Sequence, residues 1–304
     1  MRLFHLAICI VFLGLLSGIS SGCQPQFQPG VFTDDLGREV RMEKVPQRIV
    51  SLAPSHTEIL FALGLGDRVV GVTKYCNYPE EAKEKEIIGG FSTPDPEKII
   101  ALKPDLILSL GSLQKSKVTE LEEKGQTVFW IYPHSVEETL ESFERIGALT
   151  GSSAAARKLR KEVETRIDRV EAKTKGIPEE KRPTIFRVMG LNPVGTIGGM
   201  SFQTDDYRLA GGRNVFADTD KDYFELEIKT LVELDPDIIV ICGENEEEAK
   251  RKIKDQEGWE DLTAVRADRI AVISCDLICR PSPRIGQTIE QLAASFHPEL
   301  FKQE

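Results

Sequence analysis

The chain is poor in the residues and motifs that build metal centres and common hydrolytic sites. Its 304 residues include only 4 histidines and 6 cysteines, and no CxxC pair or histidine cluster has the spacing of a zinc site. Neither the GxSxG motif of a serine hydrolase nor the HExxH motif of a zinc protease occurs. A structural zinc site is therefore not expected, and an enzyme is the weaker functional class.

Basic clusters and long apolar runs are also scarce. Acidic residues outnumber basic ones by 49 to 39, the net charge is −10, and Lys and Arg are interspersed with Glu, so no nucleic-acid partner is expected. One apolar run, residues 6–16, follows Arg2. It has the length of a signal peptide and is too short for an ordinary membrane span. We expect residues 1–22 to be a secretion signal and the protein to be exported.

Small residues and a cysteine follow this apolar run. Residues 20–22 (SSG) precede Cys23, and this arrangement resembles the lipobox of bacterial lipoproteins, although Ser20 stands where Leu is common. The resemblance implies that Cys23 is lipidated and anchors the protein at a cell membrane, facing the periplasm or the exterior, with residues 23–30 as a tether. An ordinary cleaved signal with an incidental Cys23 is the alternative.

Four further cysteines lie beyond this region, namely Cys76, Cys242, Cys275 and Cys279. Cys242 falls in an apolar strand and is expected to be buried. The other three fall in predicted loops, where an exported protein can form a disulfide. The pairing is open, and Cys76 with Cys279 is one candidate pair.

One pattern occurs twice and organises the chain. Residues 97–111 (EKIIALKPDLILSLG) and 228–243 (IKTLVELDPDIIVICG) share Leu-x-Pro-Asp, an apolar run and a glycine. In each copy the proline ends a helix, the aspartate turns the chain, and the β-branched run enters a buried strand. The period is too long for a solenoid unit. The pattern therefore predicts two similar α/β lobes with a ligand site between them.

Strands and helices alternate on either side of a proline-free segment. This alternation predicts parallel sheets covered by helices on both faces. Residues 31–135 are predicted as the N-terminal lobe and residues 181–304 as the C-terminal lobe. Residues 136–180 are predicted as a long connecting helix, with an interruption allowed at residues 147–153. Such a helix would act as a stiff strut that limits motion between the lobes.

Aromatic residues are concentrated in the loops next to predicted strands. Ligands of parallel sheets bind at the carboxyl ends of strands, so these loops are expected to line a cleft that suits a large, flat, partly apolar ligand. The loop residues are Tyr75, Tyr78, Phe91, Tyr223 and residues 275–281. Two other features are given structural roles: residues 195–199 (GTIGG) as a plain turn, and His56 as a residue that packs or caps a helix.

Segments along the whole chain after residue 22 resemble the class III substrate-binding proteins of ABC importers, which carry cobalamin, haem and ferric siderophores. They are RIVSLAP at 48–54, TE at 57–58, VGVT at 70–73, YPE at 78–80, both Leu-x-Pro-Asp repeats, GGxN at 211–214 and RPSPR at 280–284. Two further motifs are most similar to the cobalamin-binding members, namely Tyr75-x-x-Tyr78-Pro79 and Asp276-x-x-x-Arg280-x-Ser282-Pro283-Arg284.

The resemblance implies an α/β fold of two similar lobes, each with a parallel β-sheet flanked by helices, joined by one long helix. It also implies that a corrinoid lies in the cleft between aromatic side chains. At matching positions, Tyr75, Phe91 and Tyr223 are expected to be aromatic contacts, and Asp276 and Arg280 are expected to be polar contacts. The protein is expected to be a monomer that needs no cofactor and catalyses no reaction.

Two positions depart from the cobalamin-binding pattern. Leu110 and Gly195 stand where cobalamin binders can carry aromatic residues. A haem or ferric-siderophore binding protein of the same superfamily is therefore the alternative, and an exported α/β enzyme is a more distant one.

The resemblance also implies a permease partner. In the family, a glutamate near the start of the helix in each repeat meets arginines of the permease. Glu97 holds this position in the first lobe, whereas Lys229 falls at the matching place in the second lobe and Glu227 is the nearby candidate. A glutamate there also has a simpler role, because the helix dipole favours it by about 0.3–1 kcal/mol.

Overall fold

The computed structural model describes residues 27–301. The expected signal at residues 1–22 and the lipidation site Cys23 lie outside the described residues, as does half of the tether. Within residues 27–301, none of the helices is both long and apolar enough to cross a membrane.

The N-terminal lobe is a parallel sheet with helices, preceded by a hairpin. The hairpin pairs β1 (Gly30–Thr33) with β2 (Glu39–Met42). The sheet itself contains β3 (Ile49–Ser51), β4 (Val69–Val72), β5 (Glu86–Ile87), β6 (Leu106–Ser109) and β7 (Val128–Trp130). Its order is β5-β4-β3-β6-β7, and every pairing is parallel. The helices of this lobe are α1 (Pro54–Ala62), α2 (Pro96–Ala101) and α3 (Lys115–Glu123).

The segment between the lobes is a pair of helices, so the single long helix predicted for residues 136–180 is wrong. The helix α4 (Val136–Thr150) ends at Gly151, whose φ of 72° is left-handed, and α5 (Ser153–Thr174) follows. Glycine suits this helix end because it has no Cβ to clash. The helices then pack closely against each other, since a Cβ on Gly147 would lie 2.4 Å from the Cβ of Ala156. The break falls inside the interruption that the sequence allowed.

The C-terminal lobe combines a parallel sheet with a small antiparallel one. The parallel strands are β8 (Thr184–Val188), β11 (Arg213–Asn214), β13 (Ile238–Cys242) and β14 (Ile270–Ile273), in the order β11-β8-β13-β14. The antiparallel strands are β9 (Gly190–Leu191), β10 (Val194–Ile197) and β12 (Tyr223–Leu226), in the order β12-β10-β9. The helices are α6 (Phe202–Leu209), α7 (Ile228–Leu234), α8 (Glu246–Lys254), α9 (Thr263–Arg266), α10 (Cys275–Ile278) and α11 (Ile285–Phe296).

Each copy of the repeat joins a helix to a buried strand, α2 to β6 and α7 to β13. The residue before the proline turns the chain, with φ values of 49° at Lys103 and 37° at Asp235. This is left-handed backbone, which residues with a Cβ seldom adopt. The chain was predicted to turn at the aspartate of each Leu-x-Pro-Asp motif. The turn instead lies two residues earlier, at Lys103 and Asp235.

The aspartate of each Leu-x-Pro-Asp motif instead binds the backbone at the start of the neighbouring strand. Asp105 accepts the backbone N–H groups of Gln47 and Arg48, both at 2.9 Å, just before β3. Asp237 accepts the N–H of Thr184 at 2.7 Å, at the first residue of β8. Each aspartate thus fixes the amino end of the strand that pairs with its own strand.

Residues 195–199 are not the plain turn that was predicted. The first three belong to β10, which pairs with both β9 and β12. A Cβ on Gly198 would lie 2.3 Å from the carbonyl oxygen of Lys221, and one on Gly199 would lie 2.1 Å from that of Ala217. The two glycines therefore permit a close approach of two backbone segments. The predicted loop at residues 275–281 likewise contains the short helix α10.

One apolar core runs through both lobes. Its buried side chains extend from Ile49 of the first sheet through Phe143 on α4 and Ile167 on α5 to Phe296 on α11. Two further clusters each belong to a single lobe. The lobes are therefore joined by packing as well as by the chain, and the predicted two-lobed α/β fold is confirmed.

Candidate ligand-binding cleft

A cavity of about 240 Å³ lies between the lobes at the carboxyl ends of the strands. Its lining is largely aromatic and aliphatic. The first lobe contributes Phe91, Leu110, Gly111, Leu113, Tyr132 and Pro133, and the second contributes Met189, Ile197, Ser201, Phe202, Gln203, Asp222, Tyr223, Cys279 and Pro281. The sequence analysis placed a cleft at this position.

A wider groove of about 860 Å³ lies mainly on the second lobe, near the start of β8. It is more polar than the cavity between the lobes, and its charges compensate one another. Arg208 pairs with Asp205 at 2.6 Å and Arg182 pairs with Glu179 at 3.5 Å. The smaller cavity is the better candidate for an apolar ligand because both lobes line it and its lining is rich in aromatic side chains.

Tyr223 forms part of the second lobe's wall because Gly195 lacks a side chain. Tyr223 lies on β12 and Gly195 on the paired strand β10. A Cβ on Gly195 would lie 2.5 Å from the Tyr223 hydroxyl oxygen. The tyrosine ring thus occupies the space that a side chain at position 195 would need, and Tyr223 remains 48% exposed. The glycine that departs from the family pattern is what lets this aromatic ring lie on the sheet.

The wall of the first lobe is held in place by a buried glutamine, Gln114. The sequence analysis did not identify this residue. The Nε2 of Gln114 donates to the carbonyl oxygens of Leu52 at 2.6 Å and Phe91 at 3.0 Å. Its Oε1 accepts the hydroxyl of Ser109 at 2.8 Å and the N–H of Leu110 at 2.9 Å. One amide therefore ties two strand ends to the loop that carries Phe91. A lone glutamine in a short turn gives no sequence signal for this role.

Two contacts close the cavity at its edge by joining the lobes directly. The hydroxyl of Tyr132 donates to a carboxylate oxygen of Asp222, and burial together with that carboxylate raises the pKa of Tyr132. The Nδ1 of His134 lies 2.8 Å from the carbonyl oxygen of Met200. Neither contact was expected from the sequence, because the partners come from different lobes.

A network of charges beside the cavity clasps the lobes together. Its centre is Glu58 on α1, which is 2% exposed. The Glu58 carboxylate accepts Nη1 of Arg280 at 2.9 Å, Nε of Arg284 at 2.8 Å and the hydroxyl of Ser282 at 2.8 Å. We call these four residues the clasp. The TE pair at residues 57–58 is part of the family resemblance, but the sequence alone indicates no structural role for Glu58.

Asp276 and Arg280, the two predicted polar contacts, bind each other, and their charges are largely used inside the protein. Nη2 of Arg280 donates to an Asp276 oxygen and also to the Tyr75 carbonyl oxygen at 3.1 Å. The other Asp276 oxygen accepts Nδ2 of Asn77 at 2.6 Å, and the Asn77 oxygen accepts Arg280 at 2.9 Å. Asp276 keeps 36% of its side chain exposed, whereas Arg280 keeps only 8%.

The predicted aromatic contacts fall into two places. Phe91 and Tyr223 face the same cavity from opposite lobes. Tyr75 is 50% exposed, lies next to the clasp and is not part of the cavity lining. The Nζ of Lys74 lies 5.0 Å from the centre of its ring. Tyr78 stacks on Arg284, whose guanidinium carbon is 4.3 Å from the ring centre.

His56 and Cys76 have structural roles. His56 is 1% exposed, and burial, with a smaller effect from Arg145, lowers its pKa to about 3, so the ring is neutral. Cys76 is buried and its Sγ lies 3.2 Å from the Thr57 hydroxyl. Cys76 and the other three cysteines of residues 27–301 are free thiols, so the disulfide considered between Cys76 and Cys279 is not formed.

The clasp predicts a large effect of Glu58→Ala on stability. Removing the carboxylate leaves the Arg280 and Arg284 charges without their shared partner, and breaking a buried pair in this way costs about 3–5 kcal/mol. The free energy of unfolding from urea titration measures the loss. Glu290→Ala is the matched control, because it breaks a 2.6 Å pair with Arg166 in which both side chains are 48% exposed, worth at most about 1 kcal/mol. Equal small losses in both variants would contradict a structural role for the clasp.

Comparison with known proteins agrees with this fold. A family model described as periplasmic binding protein matches residues 49–277. The chain is 33% identical over 280 residues to an ABC transporter substrate-binding lipoprotein of Bacillus subtilis (strain 168), covering 90% of this chain and 88% of that protein.

Two solved structures are also similar. The vitamin B12 binding protein of Vibrio cholerae superposes with a TM-score of 0.73 at 26% identity, covering 85% of this chain and 99% of that one. A possible iron-binding, periplasmic solute-binding protein from Staphylococcus epidermidis superposes with a TM-score of 0.70 at 30% identity, covering 83% and 99%. The family match, the two lobes and the cleft between them lead to one conclusion: the chain belongs to the periplasmic binding protein family and is a non-enzymatic, substrate-binding component of an ABC importer.

Proposed function

We propose that the protein captures a corrinoid between its lobes and delivers it to the permease. The observation that carries this proposal is the chemistry of the cavity. Among its described lining residues, Asp222 is the only charged side chain, and Arg, Lys and His are absent. The cavity is therefore suited to a flat, partly apolar ligand whose polar groups carry no negative charge.

The same chemistry favours a corrinoid over haem or a ferric siderophore. Corrinoids are edged by neutral amides, whereas haem carries carboxylates, and a buried anion requires a cationic partner. Two cations stand behind the lining: Arg280 is already engaged by Glu58 and Asp276, and Arg187 is 1% exposed and donates to Gln203 and to the Val188 carbonyl oxygen. The name of the Vibrio cholerae relative supports a corrinoid. The possible iron binder of Staphylococcus epidermidis keeps a ferric ligand as the second candidate.

Phe91 and Tyr223 supply the two aromatic walls, and Tyr75, Asp276 and Arg280 supply contacts at the rim. A cavity of about 240 Å³ is smaller than the roughly 300–1,000 Å³ usual for drug-sized ligands. A macrocycle therefore requires the contact between Tyr132 and Asp222 to part. The clasp and the shared core keep the lobes joined while it does so.

Alanine substitutions test the aromatic contacts. Aromatic stacking contributes about 0.5–1.5 kcal/mol beyond area burial, so Tyr223→Ala and Tyr75→Ala should each raise the Kd for cyanocobalamin by about twofold to tenfold. Visible spectra of the protein fraction after gel filtration measure binding. Haemin and ferric hydroxamate siderophores are tested in parallel.

Tyr78→Ala is the matched control for Tyr223→Ala, because both rings are 48% exposed and the Tyr78 ring stacks on Arg284 outside the cavity. Its Kd should stay within twofold of wild type. Retention of haemin or a siderophore without cyanocobalamin would refute the corrinoid proposal. Unchanged affinity in both test variants would place the ligand elsewhere.

Docking on the permease is proposed to use Glu97 and Glu227. Each stands at the start of a repeat helix, is exposed, and has no ion pair among the described residues. The side chain of Asp95 already caps α2 by accepting the N–H groups of Glu97 and Lys98. The Glu97 carboxylate is therefore not needed as the cap and is free to meet a cation.

Charge reversal tests this assignment. Glu97→Arg should bind cargo normally but slow transport in vesicles reconstituted with the permease, because two positive groups would then oppose each other. Glu227→Arg should act in the same direction in the second lobe. Glu123→Arg is the control, since Glu123 is exposed at the far end of α3. Wild-type transport by Glu97→Arg would show that the docking assignment is wrong.

The anchor is proposed to be a lipid on Cys23. This rests on the short apolar run, on the small residues before Cys23, and on a Bacillus subtilis relative that is named a lipoprotein. Cys23→Ser should abolish incorporation of a palmitate analogue and release the protein from the membrane fraction. Cys76→Ser should change neither result. Label that persists in the Cys23→Ser protein would mean that Cys23 is not the anchor.

A further inference from the structure

The second lobe contains a buried arginine without a carboxylate partner. Arg187 on β8 is 1% exposed. Its Nε donates to Gln203 at 3.0 Å, and Nη1 donates to the Val188 carbonyl oxygen at 2.5 Å. Its Nη2 lies 3.6 Å from the Sγ of Cys279. No carboxylate of residues 27–301 lies within ion-pair distance of this guanidinium.

A buried guanidinium needs a compensating negative charge, because an isolated buried ion costs several kcal/mol. The ionisable groups that interact with Arg187 include the thiols of Cys242, Cys275 and Cys279 and the phenol of Tyr207. Burial raises the pKa of Tyr207, so the phenol stays neutral. Among these groups, sulfur is the remaining source of negative charge.

Three cysteines converge at this point. Cys242 ends β13, while Cys275 and Cys279 stand one helical turn apart at α10, directly after the neighbouring strand β14. Parallel pairing places Cys242 opposite Ile273, two residues before Cys275, and all three thiols lie close enough for Cys275 and Cys279 to affect the pKa of Cys242. The thiol of Cys279, aided by Arg187, lowers the pKa of Cys242 to about 5, whereas burial raises the pKa of Cys275 to about 12. Cys242 is thus the most readily deprotonated of the three.

The cluster is reachable from the cleft. Cys279 is exposed and lines the cavity, and Cys242 and Cys275 are half-buried behind it. Within residues 27–301, no group of three or more His, Cys, Asp or Glu side chains is placed to hold a metal ion. Thiols that meet beside an accessible cavity are placed to exchange with a disulfide.

We propose that Cys242 and Cys279 form a reversible dithiol–disulfide pair beside the ligand cavity, oxidised by a small or protein disulfide. Such exchange suits the periplasmic setting after which the family is named, because oxidising compartments sustain disulfides. The proposal does not depend on the identity of the cargo.

The reaction balances as two exchange steps. The Cys242 thiolate attacks one sulfur of the oxidant disulfide, which forms a mixed disulfide and releases one thiolate. The Cys279 thiol then gives its proton to solvent, and its sulfur attacks the Cys242 sulfur, which releases the second thiolate. Two cysteine thiols lose two electrons, and one oxidant disulfide is reduced to two thiols. Arg187 loses its counter-ion when the bridge forms.

Peptide mapping tests the pair directly. Purified full-length protein is equilibrated in glutathione buffers from fully reduced to fully oxidised, blocked with N-ethylmaleimide and digested with trypsin. The oxidised protein should yield a disulfide that links peptide 230–250 to peptide 270–284, and the reduced protein should not. Cys275→Ser and Cys76→Ser should retain the link, and Cys279→Ser should lose it. Absence of the link in every buffer, or a bridge only between Cys275 and Cys279, would overturn the proposal.

Alkylation of Cys242 by iodoacetamide tests its activation by Arg187. The wild-type rate should already be near its maximum at pH 7, since the thiolate is formed there. Arg187→Met should lower the rate at pH 6 by about tenfold or more, because each pKa unit changes the thiolate fraction tenfold. If Arg187→Met does not fold, the wild-type pH profile decides the matter. A Cys242 rate that rises only near pH 8.5, as for an ordinary thiol, would overturn the assignment.

Discussion

The arrangement of the two lobes depends on one buried carboxylate. Glu58 of the first lobe accepts hydrogen bonds from Arg280, Ser282 and Arg284 of the second, and Asp276 supplies a second negative charge to Arg280. Two cations and two anions thus meet with nearly all their hydrogen-bonding groups used. Desolvating these groups is costly, and only this geometry repays the cost. The clasp therefore favours one relative placement of the lobes, and the cavity beside it takes its shape from that placement.

The clasp acts together with packing. The helices α4 and α5 lie on each other through Gly147 and Ala156, and both contribute to the core cluster that reaches each sheet. At the edge of the cavity, the lobes also meet through single contacts such as that between Tyr132 and Asp222. The core and the clasp are thus the firm connection between the lobes, and these single contacts are the yielding one. A ligand can part the yielding contacts without disturbing the core.

The fold was predictable because its signals are local. The duplicated Leu-x-Pro-Asp pattern gave two lobes, and the rule that ligands bind at strand carboxyl ends placed Phe91 and Tyr223 at the cleft. Glu58 and Arg280 are more than 200 residues apart, and no local pattern links them. The segment at Gly195 was misread because glycines suit both a turn and a strand under an aromatic ring. The sequence permits a helix break at Gly151 but does not require one, because a single glycine near a helical pattern is weak evidence for the end of a helix.

The residues that fix the strands lie apart from the residues that form the cavity. Asp105 and Asp237 fix strands at the amino edge of each sheet, whereas the cavity is built from loops at the opposite edge. Substitutions in those loops therefore leave the strand anchors untouched. A scaffold built in this way can therefore take a different cargo through changes in its loops, while the aspartates that fix its strands stay the same.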